Sequence, residues 1–351
     1  MAHQGRARLG DFPCRATAVD LGSATVRMHV NGRGVVASEP SAIARSASNG
    51  RLLAAGTAAL DLAGERGVKL IRPIRNGVPA EAADTESLLR SLMRSCHRWH
   101  YKAYMAKPRM AVTVPSGITQ VQLGAVRAAA YGAGARGLTI VATPLAAAAG
   151  VGLPKNPEDV VVVADIGAQV TDVGVIIGTE LLGSRTALVG GITLDEAIMA
   201  QARWEYGLVL APSTAESVKL RIGAAMPGRD GVALVHGKDK YSELPCTAVL
   251  TSADVREAIG PPLAAIVEAV RAGIAVAPPE LAAAICAAGI TLTGGSAALP
   301  GLDELISKET GLPVRVAPNT LNAAVTGAAS FLQRCRDMDD EHTSLWAAAA
   351  G

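Results

Sequence analysis

Two short segments share one arrangement of residues. Ala18-Val19-Asp20-Leu21-Gly22-Ser23-Ala24-Thr25-Val26 and Val163-Ala164-Asp165-Ile166-Gly167-Ala168-Gln169-Val170-Thr171 each run apolar, then Asp-apolar-Gly, then small or polar, then apolar again. The apolar run reads as a buried strand and the glycine as a tight turn into a second strand. A carboxylate at the tip of a buried strand is costly unless it meets a cation or a hydrogen-bond donor. Small residues after it let backbone N–H groups approach a bound anion. Two such tips facing each other would clamp a nucleotide–metal complex, with Asp20 and Asp165 holding the metal through water. For either copy alone, a turn aspartate capping its own backbone is the better account of so short a pattern. The duplication is what favours a site.

Other groups invite a functional reading beside a plain one. Gly294-Gly295-Ser296-Ala297 lies between an apolar strand and a helix, where glycines let the chain lie flat against a base or sugar or simply turn it. Glu216 and Lys219 stand three apart on an expected helix and share a face with Ser217 and Val218 between them. They suit a ribose and a nucleotide ring or phosphate, or else a capping glutamate and a solvated lysine. Trp99, Tyr101, Tyr104 and Met105 sit among Arg94, Arg98, Lys107 and Arg109, a mixture that suits a membrane interface or a surface-packed loop. His97 and His100 have no carboxylate or cysteine at ligand spacing beside them. Neither a Gly-x-x-x-x-Gly-Lys-[Ser/Thr] loop nor a Gly-x-Gly-x-x-Gly fingerprint is present, and no Ser-His-Asp arrangement stands out.

The elements that must position these residues alternate in type. The chain of 351 residues suits two domains or one large α/β unit. Half the residues are apolar but only 3% aromatic, so alanine, glycine and valine carry the burial and helices should pack closely. A formal charge of +2 gives no argument for nucleic-acid binding. Five scattered cysteines fit reduced thiols in a cytosolic protein, and no run reaches the roughly 18–20 apolar residues of a membrane span. Arg6, Arg8 and Arg15 have no apolar stretch behind them, unlike a signal peptide. Strands are expected at 16–21, 24–30 and 34–38, with a turn at Asn31-Gly32, then at 110–114 and 138–141. The second half repeats them at 160–165, 170–177 and 288–293. Helices are expected at 84–98, after Pro115-Ser116-Gly117, at 145–149, from capping boxes at Thr193–Glu196 and Ser213–Glu216, at 261–275 and at 299–309. Strands alternating with helices argue α/β.

In order, these motifs resemble the actin-like ATPase superfamily and, within it, the bacterial MreB family of rod shape-determining proteins. The resemblance runs from about Thr17 to Ala329. It is carried by Gly34-Val35-Val36-Ala37-Ser38-Glu39-Pro40-Ser41, Ile71-Arg72-Pro73-Ile74-Arg75-Asn76-Gly77-Val78 and Val114-Pro115-Ser116-Gly117-Ile118-Thr119. Val189-Gly190-Gly191, Asp195-Glu196-Ala197-Ile198, Gly301-Leu302-Asp303 and Glu309-Thr310-Gly311-Leu312-Pro313-Val314 are also similar. The resemblance implies an α/β, actin-like fold of two RNase H-like domains facing a nucleotide cleft, each with a small subdomain. The layout is a flexible 1–15, domain I at 16–147 with a subdomain at 33–70, domain II at 148–330 with a subdomain at 186–250, and a tail at 331–351. ATP and Mg2+ would bind between Asp20 and Asp165, with Gly22, Ser23, Ala24 and Thr25 as one phosphate loop and Gly167, Ala168 and Gln169 as the other. Glu216 to Lys219 match the sugar and base helix, and Gly294 to Ala297 the adenosine loop. The Tyr104-Met105 region matches a membrane loop. The implied partners are further copies in a filament, a paralogue of the family, the inner face of the cytoplasmic membrane and the wall-synthesis machinery. The implied place is cytoplasmic and peripheral to that membrane.

The departures fall on the chemistry. Thr25 stands where the family has Asn, and Gly167-Ala168-Gln169-Val170 where it has Gly-Gly-Gly-Thr. A Cβ at Ala168 and the long Gln169 amide would take up phosphate space. Thr143 stands at the glutamate that positions the attacking water, and Ile192 replaces another acid. Hydrolysis is expected to be weak or absent. A filament-forming nucleotide-binding protein, a pseudo-ATPase scaffold assembling with an active paralogue, and a sugar-kinase-type enzyme on the same fold are the competing readings.

Overall fold

The three strands after residue 16 form an antiparallel meander, because alternating residues bury on one face while Asn31 and Gly32 turn the chain, Gly32 at φ +76°. Thr17–Leu21 pairs with Thr25–Val30, which pairs with Gly34–Pro40. Arg109–Val114 and Gly137–Ala142 then add in parallel on the other side of Thr17–Leu21. In the second half Val160–Ile166, Thr171–Ile177 and Glu180–Ala187 make the same meander, and Ile290–Thr293 and Val314–Val316 the same parallel extension. The two sheets therefore share one strand order, with Ser344–Leu345 added at the edge of the first. The computed structural model describes residues 16–97, 108–228, 230–334 and 344–345.

Three cores follow. The first lies between the first sheet and the helices Ala82–Cys96 and Gln120–Gly132. The largest fills the second half around Gly191–Glu205, Pro212–Ile222 and Ser252–Ile274. The third joins the halves. It holds Ala18 and Ala111 of one sheet, Val161 and Val163 of the other, and the helices Thr143–Gly150 and Ala323–Arg334 between them. These two helices touch backbone to backbone: a Cβ on Gly327 would run into the Ala146 carbonyl, and one on Gly150 into that of Ala323. The scarcity of aromatics and the wealth of alanine meet here.

Small sheets stand apart at Ile43–Ser46, Leu52–Ala55 and Val68–Ile71, and at Leu208–Val209, Val232–Asp239 and Pro245–Thr251.

Several element boundaries differ from expectation. The helix expected from Pro261 begins at Ser252, capped by a reciprocal Thr251–Asp254 box, and carries Pro261 and Pro262 inside it. Its buried stripe, Val255, Ile259, Leu263, Ile266 and Val270, outweighs the lost backbone donors. Thr193 does not start a helix. Gly190 is the cap, and its N–H donates to the Thr193 hydroxyl at 3.3 Å. The Ser213 box is replaced by Pro212 at the first helical position. The last helix runs to Arg334, past the expected start of a tail, and Ser344–Leu345 is a strand.

Candidate functional site

Each aspartate sits one rung from the end of a buried strand and is held the same way. Asp20 pairs in register with Thr113 of the neighbouring parallel strand, and Asp165 with Thr293. In both cases the threonine hydroxyl donates to the carboxylate at 2.8 Å. The sequence reading missed these threonines. Each stands at or one residue before the end of an apolar strand, Arg109–Val114 and Ile290–Thr293, and that repeated placement is the signal that could have found them.

The two carboxylates lie within electrostatic reach of one another. Burial first, and then the Asp20 charge, push Asp165 up to about 7, against the pull of Thr293 and Arg27. Burial raises Asp20 as well, while Thr113 and Arg27 oppose it. Arg27, also missed, is the antiparallel partner of Asp20, and its Nη1 lies 3.7 Å from Asp20 Oδ2. At the matching rung of the second half stands Asp172. Asp172 accepts from the Ser116 N–H at 2.7 Å, from the Ser116 hydroxyl and from the Thr186 hydroxyl at 2.8 Å, and burial holds it at about 6.

The loops behind the aspartates are tied to their surroundings. In the second, the Gly167 N–H donates to the Val170 carbonyl, which closes the turn. The Gly167 and Ala168 carbonyls accept from the N–H groups of Gly191 and Ile192 at the start of a helix. In the first, the Gly22 carbonyl accepts from the Ser41 hydroxyl and the Ala24 carbonyl from the Ser41 N–H, leaving Thr25 to open the next strand. Gln169 does not fold back over its own loop. Its Oε1 accepts from the Asn76 N–H at 2.9 Å, while the Gly77 N–H donates to Ser23 Oγ at 2.8 Å. One turn of the first half thus touches both loops.

The other expected residues converge on the second loop. Ser296 Oγ donates to the Gly167 carbonyl at 2.9 Å, and Gly294, at φ +85°, lies against the Ile166 carbonyl where a Cβ would clash. Gly295 is exposed and Ala297 is buried in the core. Lys219 is not the solvated residue that helix periodicity suggests. It is buried, paired with Asp195 at 2.8 Å, and donates to the Gly191 carbonyl at 2.9 Å. Glu216 and Ser217 are exposed, whereas Val218 packs into the core and presents nothing to a ligand. Thr143 opens a helix and donates its hydroxyl to the Val114 carbonyl at 2.9 Å. Trp99, Tyr101, Tyr104 and Met105 lie outside the described residues.

The arrangement fits a hydrated divalent cation carried by a polyphosphate. Burial raises the proton affinity of both carboxylates and the Asp20 charge raises that of Asp165 further, a cost that a cation relieves, and Mg2+ is commonly held by one or two carboxylates plus phosphate and water. Among the described residues no cluster of three or more His, Cys, Asp or Glu offers an all-protein metal site.

Comparison with known proteins identifies the family. The family model described as MreB/Mbl protein matches residues 14–340. The cell shape-determining protein MreB of Escherichia coli strain K12 is 37% identical over 324 residues, covering 90% of this chain and 92% of that protein. The cell shape-determining protein Mbl of Bacillus subtilis strain 168 is 33% identical, covering 91% and 96%. The structure of MreB 5 of Spiroplasma citri bound to AMPPNP superposes with a TM-score of 0.85 at 28% identity, covering 93% and 98%. A MamK double helical filament shares the fold at a TM-score of 0.76 and 17% identity. With its duplicated sheets, facing aspartates and a match over nearly its whole length, the chain belongs to the MreB/Mbl family and has the actin-like fold.

Proposed function

We propose that this chain binds ATP in the crevice between its two sheets, assembles into filaments of its own copies, and acts in cell-shape determination from the inner face of the cytoplasmic membrane, guiding wall synthesis. The observation that carries the nucleotide reading is the pair of matched rungs, Asp20–Thr113 and Asp165–Thr293, facing one another across small-residue loops. Asp20 and Asp165 would hold Mg2+ through water, and the ion would neutralise phosphate charge. Gly22 to Thr25 and Gly167 to Gln169 would flank the phosphates. Gly294 to Ser296, Glu216 and Lys219 would border the adenosine. The S. citri relative is described as bound to AMPPNP and, in a second structure, to ADP, which supports a nucleotide here. Membrane contact through the Trp99–Met105 segment rests on its aromatic and basic composition alone.

A second reading, an assembly partner with little or no hydrolysis of its own, draws on Thr143. A neutral hydroxyl already bonded to the Val114 carbonyl lacks the charge to orient an attacking water. Titration calorimetry with ATP and Mg2+ tests binding, and phosphate release tests turnover. We expect binding to the wild type, at least about tenfold weaker binding by Asp165→Asn, and release no faster than the blank. An absence of binding overturns the nucleotide reading, and steady release overturns the inactive one. Electron microscopy with nucleotide, and pelleting on anionic vesicles, test the filament and the membrane; monomers throughout, or protein left in the supernatant, would refute each in turn.

A further inference from the structure

Arg27 is the cation of the crevice that the structure leaves under-used. It lies on Thr25–Val30, directly after the first loop, cross-strand from Asp20. Its side chain is only 16% exposed, yet its ion pair with Asp20 spans 3.7 Å, longer than a well-formed hydrogen bond. A guanidinium carries five N–H donors in a planar fork that matches phosphate oxygens two at a time. The other cation near the loops, Lys219, is committed to Asp195 and to the Gly191 carbonyl. At the equivalent rung of the second half the residue is Asp172, occupied by Ser116 and Thr186. Among the described residues, Arg27 of the first half is therefore the cation that acts on both Asp20 and Asp165.

Resting on the nucleotide reading above, we propose that Arg27 is a phosphate contact built into the cleft, taking over part of the charge neutralisation a divalent ion supplies, so that nucleoside di- and triphosphates bind with reduced dependence on metal. On ligand entry the guanidinium turns its free donors to phosphate oxygens while staying within reach of Asp20. Arginine suits this role better than lysine because its fork is rigid and its charge permanent.

Calorimetric titration of the full chain with ADP and with ATP, in excess Mg2+ and in EDTA, tests it. In the wild type we expect removal of metal to weaken binding by less than about tenfold, and in Arg27→Gln by about a hundredfold or more, with Arg27→Lys in between. Thermal melts establish that the variants fold; were Arg27→Gln not to fold, the wild-type metal ratio and its widening in Arg27→Lys decide. A purely structural role for Arg27 would lower affinity in both buffers alike and leave the ratio unmoved, which overturns the proposal. So does wild-type binding that vanishes in EDTA. A wild type that binds no nucleotide even in Mg2+ overturns the cleft reading first and this one with it.

Discussion

Asp165 and Asp172 both titrate above the ordinary carboxylate range, at about 7 and about 6. Burial is the leading cause in each case. In the unfolded chain such groups titrate near pH 4. Between there and neutrality the folded state binds more protons than the unfolded one, so stability falls as pH rises through this window. Asp165→Asn removes that term. Without nucleotide or metal it should melt higher than the wild type at pH 8, by about 4 °C or more, and at nearly the same temperature at pH 4. A gain of equal size at both pH values would show that the carboxylate charge is not responsible. Asp172 differs because three donors address it. Asp172→Ala should destabilise by about 2 kcal/mol or more in denaturant unfolding, since it leaves the Ser116 N–H and two hydroxyls without their acceptor. At this scale the strand-tip aspartates were legible because Asp-apolar-Gly after an apolar run is a local pattern. Thr113 and Thr293 were not, since a rung partner 93 or 128 residues away leaves no mark at the aspartate itself; Arg27, in the next strand of the same hairpin, was within reach of the pattern and was passed over because it follows the loop rather than lying in it.

The elements show where local rules gave way to packing. Alternation and the Asn-Gly turn sufficed for the first meander, and the first two strands of the second copy followed within a residue or two, whereas its third strand, Glu180–Ala187, was not anticipated. Helix starts were less legible. Capping-box letters at Thr193 and Ser213 were overruled by Gly190 and Pro212, and a proline pair that reads as a break lies inside a continuous helix held by its apolar stripe. The crossing of Thr143–Gly150 and Ala323–Arg334 depends on having no side chain at two points. Gly327→Val should therefore cost more than about 2 kcal/mol in unfolding, or prevent folding, whereas Gly124→Ala, in open space on Gln120–Gly132, should be neutral or stabilising. Equal stability of the two variants would mean that the crossing relaxes freely.

Across the whole molecule, the halves are clasped at two points. At one, Ser116 and Gly117 of the first half bond to Asp172 and Thr186 of the second. At the other, nearer solvent, the Asn76 N–H of the first half bonds to Gln169 of the second. Gln169→Ala removes one neutral, solvent-accessible bond, worth about 0.5–1.5 kcal/mol, so hydrogen exchange at the Asn76 amide should quicken by about 2- to 12-fold, with the Ser116 amide unaffected. Unchanged exchange at Asn76 would show that the bond is not a restraint. The duplicated plan could be read from sequence because its two copies repeat the same letters; the clasps could not, because each joins residues that only the closed fold brings together. The two copies also differ at one rung, arginine at 27 and aspartate at 172. A doubled architecture begins with a two-fold axis, and a ligand lying across such an axis has no preferred direction. Arginine against aspartate at matched rungs removes that equivalence: the first half sets a partly exposed cation beside Asp20, while the second ties its acid inward to Ser116 and Thr186, so the two ends of the axis are no longer interchangeable.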